Sequence, residues 1–270
     1  MSTPNHDLRV SYVQTDLVWE DPIANCANLE ERLQGLQGHT DVVVLPEMFS
    51  TGFSMSDKGA EISGGPTVQW MKLQAQRLNV LLIGSVKIKD SGNYYNRLFA
   101  VHPSGKIDTY DKKHLFRMGQ EDGFYSAGQS QTIISYKSWQ IAAFICYDLR
   151  FPVWSRNVGL QYDLAIYVAN WPAARTHAWS SLLRARAIEN LAYVVGVNRI
   201  GVDGNQLAYE GASSFVTFKG EDMLALHSNE AIETQSLSYE ALADFRAKFP
   251  AHLDADSFTL LPSFFLGKIG

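Results

Sequence analysis

Residues 139–152 read WQIAAFICYDLRFP: a nearly all-apolar run ends at Cys146 and the chain turns polar within two residues. Side chains alternate between the two faces of a sheet, so a run that is apolar at successive positions predicts a strand covered on both faces. Residues 42–45 (VVVL) form a second run of this kind, and residues 163–170 (DLAIYVAN) are read as a further strand. Working outward, strands are expected at residues 8–14, 80–88, 192–198 and 211–218, and two more lie within residues 96–115, joined at Pro103-Ser104-Gly105. Helices are expected at residues 22–36, after the GGP of residues 64–66 through Leu78, at 153–159, at 179–190 and at 237–249, where Pro250 ends the last. Strands alternating with helices predict an α/β fold, and two central sheets with helices outside bury this many apolar strands. No fixed repeat, low-complexity block or Pro/Ser-rich linker interrupts residues 1–270, which read as one domain.

The composition is that of a globular chain, 46% hydrophobic and 19% charged. A formal net charge of -5 provides no basic field for nucleic acid or an anionic membrane. No apolar run reaches the roughly 20 residues that a bilayer-crossing helix needs, and the polar start MSTPNHDLRV lacks a secretory pattern, so a cytoplasmic protein is expected. Two cysteines, Cys26 and Cys146, fit a reducing compartment. The histidines are scattered without His-x-x-x-His or Cys-x-x-Cys spacing, and no glycine pattern opens a helix as a phosphate cradle. Neither a metal nor an organic cofactor is expected.

Ligands gather beyond the carboxyl ends of strands in α/β folds, which makes Cys146 a candidate nucleophile as well as a packed thiol. A helix beginning near Pro152 would favour its thiolate. A thiol nucleophile needs a base and donors for an oxyanion. Glu47 follows the buried run of residues 42–45, where an unpartnered carboxylate would be costly. Lys112 and Lys113 follow the strand containing Ile107, and His114 stands beside them as an alternative base. Each of these residues also has a bland reading, as an ion-pair member, a solvated pair or a loop brace.

Taken together, LPEMF (residues 45–49), YDKKHLF (110–116) and ICYDLRFP (145–152) resemble the nitrilase superfamily in its amidase branch, and within it the omega-amidases. The likeness runs from the first strand to residues 211–216. It implies a four-layer αββα sandwich with a Glu-Lys-Cys triad: Glu47 as base, Cys146 as nucleophile, and Lys112 rather than Lys113 from its spacing to His-Leu-Phe. GQEDGFYSAG, residues 119–128, resembles the segment that carries a second glutamate, here Glu121, with Asp122 as fallback.

On this resemblance the thiolate of Cys146 attacks a carboxamide, Lys112 and the backbone N–H of Tyr147 hold the oxyanion, and a thioester is hydrolysed. True nitrilases have Cys-Trp-Glu where this chain has Cys146-Tyr147-Asp148, closer to amidases. The omega-amidase likeness implies a small 2-oxo acid amide such as 2-oxoglutaramate or 2-oxosuccinamate. The free carboxylate of such a substrate calls for a cation and an aromatic wall, for which Arg150, Arg175 and Trp171 are candidates. A homodimer is also implied. The alternatives are a superfamily hydrolase acting on a nitrile, an N-carbamoyl compound or another amide, and a catalytically silent binding protein.

Overall fold

The computed structural model describes residue 4, residues 6–225 and residues 227–260. Two sheets pack face to face with helices on both outer surfaces, the four-layer αββα sandwich. The first sheet has the order β13-β1-β2-β3-β4-β5, from Ala231–Leu237, Leu8–Gln14, Val42–Val44, Leu81–Asp90, Asn93–Val101 and Ile107–Asp111. The second has the order β12-β9-β8-β7-β6, from Ser214–Val216, Tyr193–Asn198, Leu164–Ala169, Trp139–Ile145 and Ile133–Tyr136. In each sheet parallel strands lie at the centre, β1-β2-β3 and β7-β8-β9, with antiparallel strands outside them.

The apolar run of β2 shows why the layers form. Val42 and Val44 point into the core between the sheets, whereas Val43 and Leu45 join the core beneath α1 (Pro22–Leu33) and α2 (Pro66–Leu78). A strand sandwiched in this way has no face for a polar residue. On the opposite side, α3 (Thr176–Asn190) buries Trp179, Leu183 and Ala187, and α4 (Tyr239–Lys248) buries Leu242, both against the second sheet.

Several expectations are corrected. Residues 153–159 form turns and no α-helix, because Asn157 uses its side chain to hold Tyr162 N and Tyr162 O and breaks the local ladder. The chain also forms strands at β6, at the small β10–β11 hairpin (Ile200–Val202 and Ala208–Glu210), and at β13, and folds β3 back into β4 through Ser91-Gly92. α3 begins three residues earlier than expected, at Thr176 instead of Trp179.

Candidate active site

The carboxyl ends of the central strands of both sheets open toward one rim. Glu47 follows β2, Lys112 follows β5 and Cys146 follows β7. Glycine at position 84 allows the Glu47 turn to lie close on β3: a Cβ there would stand 2.8 Å from the ring of Phe49. Met48 then takes a left-handed conformation, φ 44°, and its N–H donates to Ser85 Oγ at 2.8 Å.

Glu47 is fully buried and met by donors on every side. Lys112 Nζ lies 2.9 Å from its Oε1, Asn96 Nδ2 2.7 Å from the same oxygen, and the N–H of Asn170 2.7 Å from Oε2. Lys112 is equally buried and stands between two carboxylates, with Glu121 Oε1 at 3.0 Å on its other side. Burial alone would lower the Lys112 pKa, but Glu121 and Glu47 raise it above its usual value, so it remains an ammonium. Glu121 is anchored by the N–H of Phe116, 2.6 Å from Oε2. Burial and the neighbouring Glu47 raise its pKa against the pull of Lys112.

Cys146 opens a short 3-10 turn, Cys146–Arg150, with φ 46°. A left-handed backbone at a non-glycine residue costs about 1–2 kcal/mol and is sustained only by its surroundings. Asp148 supplies them: its carboxylate accepts from Ile145 N (3.1 Å), Tyr110 Oη (2.7 Å), His114 N (2.9 Å) and the His114 ring (2.8 Å). From α3, the buried Arg186 reaches the carbonyl of Leu149 at 2.6 Å. His114 is thus engaged with Asp148 and stacked on Phe151, 3.8 Å between centroids. The expected helix near Pro152 is absent, and the thiol of Cys146 is pushed well above its ordinary range, first by burial and then by Glu47. It is a thiol at neutral pH, close enough to Glu47 and Lys112 to feel both charges.

Lys112 and Cys146 line a pocket of about 660 Å³, mouth included, and Glu47 and Glu121 are buried behind them. Phe53, Phe116, Trp171 and Tyr209 form its aromatic walls, and Arg150 and Arg175 lie along it. Arg150 sits 5.0 Å over the Trp171 ring and Arg175 5.2 Å over Phe116, and among the described residues neither has a carboxylate in ion-pair range. The N–H of Tyr147 belongs to the first turn, whose donors have no acceptor within the helix. Lys113 turns away to Gln129 and the Trp154 ring, and Asp122 to Arg117.

The sequence reading missed Asn96 and Asn170, the two amides that hold Glu47, and the aromatic walls Phe53, Phe116 and Tyr209. Asn170 had a signal, since it ends the apolar run of β8 as Cys146 ends that of β7. Asn96 had none, because Asn93 and Arg97 interrupt the same strand, NYYNRLFAV, as visibly as it does. Among the described residues no cluster of His, Cys, Asp and Glu suits a metal ion, and no helix is long and apolar enough to cross a membrane.

Comparison with known proteins places this site in context. Residues 9–245 match the carbon-nitrogen hydrolase family model. The chain is 45% identical over 254 residues to the omega-amidase YafV of Escherichia coli, covering 94% of this chain and 98% of that one. It is 29% identical over 250 residues to a 2-oxoglutaramate amidase of Bacillus subtilis, covering 91% and 96%. Among solved structures, a carbon-nitrogen hydrolase superfamily protein of Xanthomonas campestris, which carries an arsenic adduct in its active site, superposes with a TM-score of 0.93 at 46% identity, covering 95% of this chain and all of that one. Nit3 of Saccharomyces cerevisiae, a nitrilase superfamily member, gives a TM-score of 0.83 at 25% identity, covering 93% and 97%.

Proposed function

The chain belongs to the carbon-nitrogen hydrolase family, and we propose that it hydrolyses the terminal amide of a small 2-oxo dicarboxylic acid monoamide, 2-oxoglutaramate or 2-oxosuccinamate, to the acid and ammonia. The observation that carries this reading is an ammonium held between two buried carboxylates beside a half-buried thiol, lysine and thiol both lining a pocket that also presents two arginines with no carboxylate in ion-pair range among the described residues. The likeness to the omega-amidase YafV supports the substrate class.

Glu47 takes the proton from Cys146 Sγ as the sulfur attacks the amide carbon. Lys112 Nζ and the N–H of Tyr147 stabilise the charge that develops on the carbonyl oxygen. The tetrahedral intermediate collapses, the C–N bond breaks, and the amine leaves as ammonia with the proton returned from Glu47. Water then gives a proton to Glu47 and adds to the thioester, Glu121 helping to position the acyl group, and the acid and the thiol are released. Arg150 or Arg175 holds the far carboxylate of the substrate against Trp171. The proposal includes a homodimer working in the cytoplasm, without metal or organic cofactor.

Ammonia release separates this reading from its alternatives. The 2-oxo acid amides are expected to turn over well ahead of glutamine, nitriles and N-carbamoyl amino acids, and Cys146→Ala is expected to lose turnover on every one. Preferred release from a nitrile or carbamoyl compound would shift the assignment within the family, and full activity of Cys146→Ala would remove the mechanism. Sedimentation at micromolar concentration is expected to give twice the chain mass; a monomer there overturns the homodimer.

A further inference from the structure

β3 carries a lysine where the strand is otherwise enclosed. Lys87 is fully buried, and every residue of β3 from Leu81 to Ile88 is buried with it. By the two-residue period of a strand, Lys87 shares the inter-sheet face with Leu81, Ile83 and Ser85. Among the described residues no carboxylate lies in ion-pair range of its ammonium; Glu20 and Asp57 act on it only from farther away. Three oxygens surround it instead: Ser54 Oγ at 2.6 Å, and the carbonyls of Ser56 and Lys58, both at 2.9 Å.

All three acceptors lie in the chain that leaves Glu47. On the same face of β3, Ser85 receives the N–H of Met48, so Ser85 and Lys87 hold the beginning and the end of that excursion. Tyr125 Oη donates to the carbonyl of Ser54 at 2.7 Å from the segment that follows Glu121. The stretch so held presents Phe53, whose ring centre is 4.9 Å from Lys112 Nζ, and Met55, and both line the pocket. A methionine would fill the volume of Lys87 without the cost of burying a charge, so packing alone does not account for an ammonium here. Three donors radiating from one atom onto three loop oxygens do account for it.

Resting on the amidase reading of this pocket, we infer that Lys87 is a positioning residue: its hydrogen bonds to Ser54, Ser56 and Lys58 fix residues 53–58 so that Phe53 and Met55 form the substrate-enclosing wall. Lys87 touches neither substrate nor the reacting atoms. Its loss acts through the wall and falls on substrate capture more than on the chemical step.

The test compares wild type, Lys87→Met and Ser54→Ala, which removes one acceptor and leaves the lysine in place. With whichever amide the wild type turns over, Lys87→Met is expected to raise KM about tenfold, the equivalent of one charge-assisted hydrogen bond, and to change kcat much less. Ser54→Ala is expected to move KM the same way by a smaller factor. Hydrogen exchange, which needs no substrate, is expected to speed up at residues 53–58 in both variants while the strands of both sheets keep their protection. A wild-type KM with unchanged exchange at residues 53–58 overturns the inference. So does protection lost evenly across the fold in Lys87→Met with Ser54→Ala indistinguishable from wild type. If the wild type releases ammonia from no amide, the amidase reading fails, and the exchange comparison still decides whether Lys87 holds the loop.

Discussion

A base that is to take a proton from a thiol must hold its own charge in a buried place, and at Glu47 the donors Asn96, Lys112 and Asn170 answer that charge directly. The same negative charge raises the Cys146 pKa. Field and proton transfer therefore make opposite predictions for Glu47→Gln. If Glu47 acted only through its field, removing the charge would ease ionisation of Cys146 and speed alkylation by iodoacetamide. If it is the base, alkylation at pH 7 slows by about a hundredfold or more, the usual worth of a positioned general base. The second outcome is expected, and an alkylation rate at or above wild type would falsify the assignment. Glu47 and Cys146 were legible in the sequence as positions because each ends an apolar run, whereas Lys112 follows the polar strand IDTYD and was singled out from Lys113 only by the family likeness. Asn170 ends an apolar run too but was passed over, since a neutral amide is unremarkable at a strand end, and Asn96 lies in mid-strand; the partner of each is in a different element.

At the level of elements, the central strands and the edges β5 and β12 were readable, and the edges β6 and β13 were not. β2 and β8 are covered on both faces and announce themselves as unbroken apolar runs, and β7 does so from Ile141 onward. β13 is half-exposed along most of its length and reads AIETQSL, with no period to detect, and it finds its place by pairing with β1. The turn at Cys146–Arg150 depends on such long-range partners as well. Asp148 ties it to the end of β5 through Tyr110 and His114 and to β7 through Ile145 N. Asp148→Asn replaces a carboxylate oxygen surrounded by donors with an NH₂ that also donates, so at least one contact becomes repulsive. Urea unfolding is expected to show a loss of about 2–4 kcal/mol, and ammonia release is expected to fall further than stability accounts for, because Cys146 loses its left-handed backbone. Wild-type values for both would mean the turn is held by packing and by Arg186 alone.

Across the whole molecule, the two sheets are joined at both ends. At the rim, Glu47 of the first sheet accepts the N–H of Asn170 from the second. At the far end, where β2 begins, Asp41 binds Arg9 of β1 through backbone and guanidinium and binds Lys137 in the β6–β7 turn of the opposite sheet. Nothing local predicts this clasp, because its members are drawn together only once the sandwich has closed. Burial pushes the Asp41 carboxyl up, but Arg9 and Lys137 outweigh it and hold the group at about 2, below its ordinary 3.8. A depressed carboxylate contributes stability that is fully present above pH 3.8 and is lost as pH falls through about 2, since the unfolded chain takes up the proton first. Asp41→Asn is therefore expected to be less stable at neutral pH by roughly 2 kcal/mol. The gap should stay level down to about pH 4 and then close with further acidification, leaving the variant with the flatter acid limb. Chemical unfolding at a series of pH values measures it, and a gap that stays constant below pH 3 would show that Asp41 joins the sheets through its shape and neutral hydrogen bonds, with no contribution from its charge.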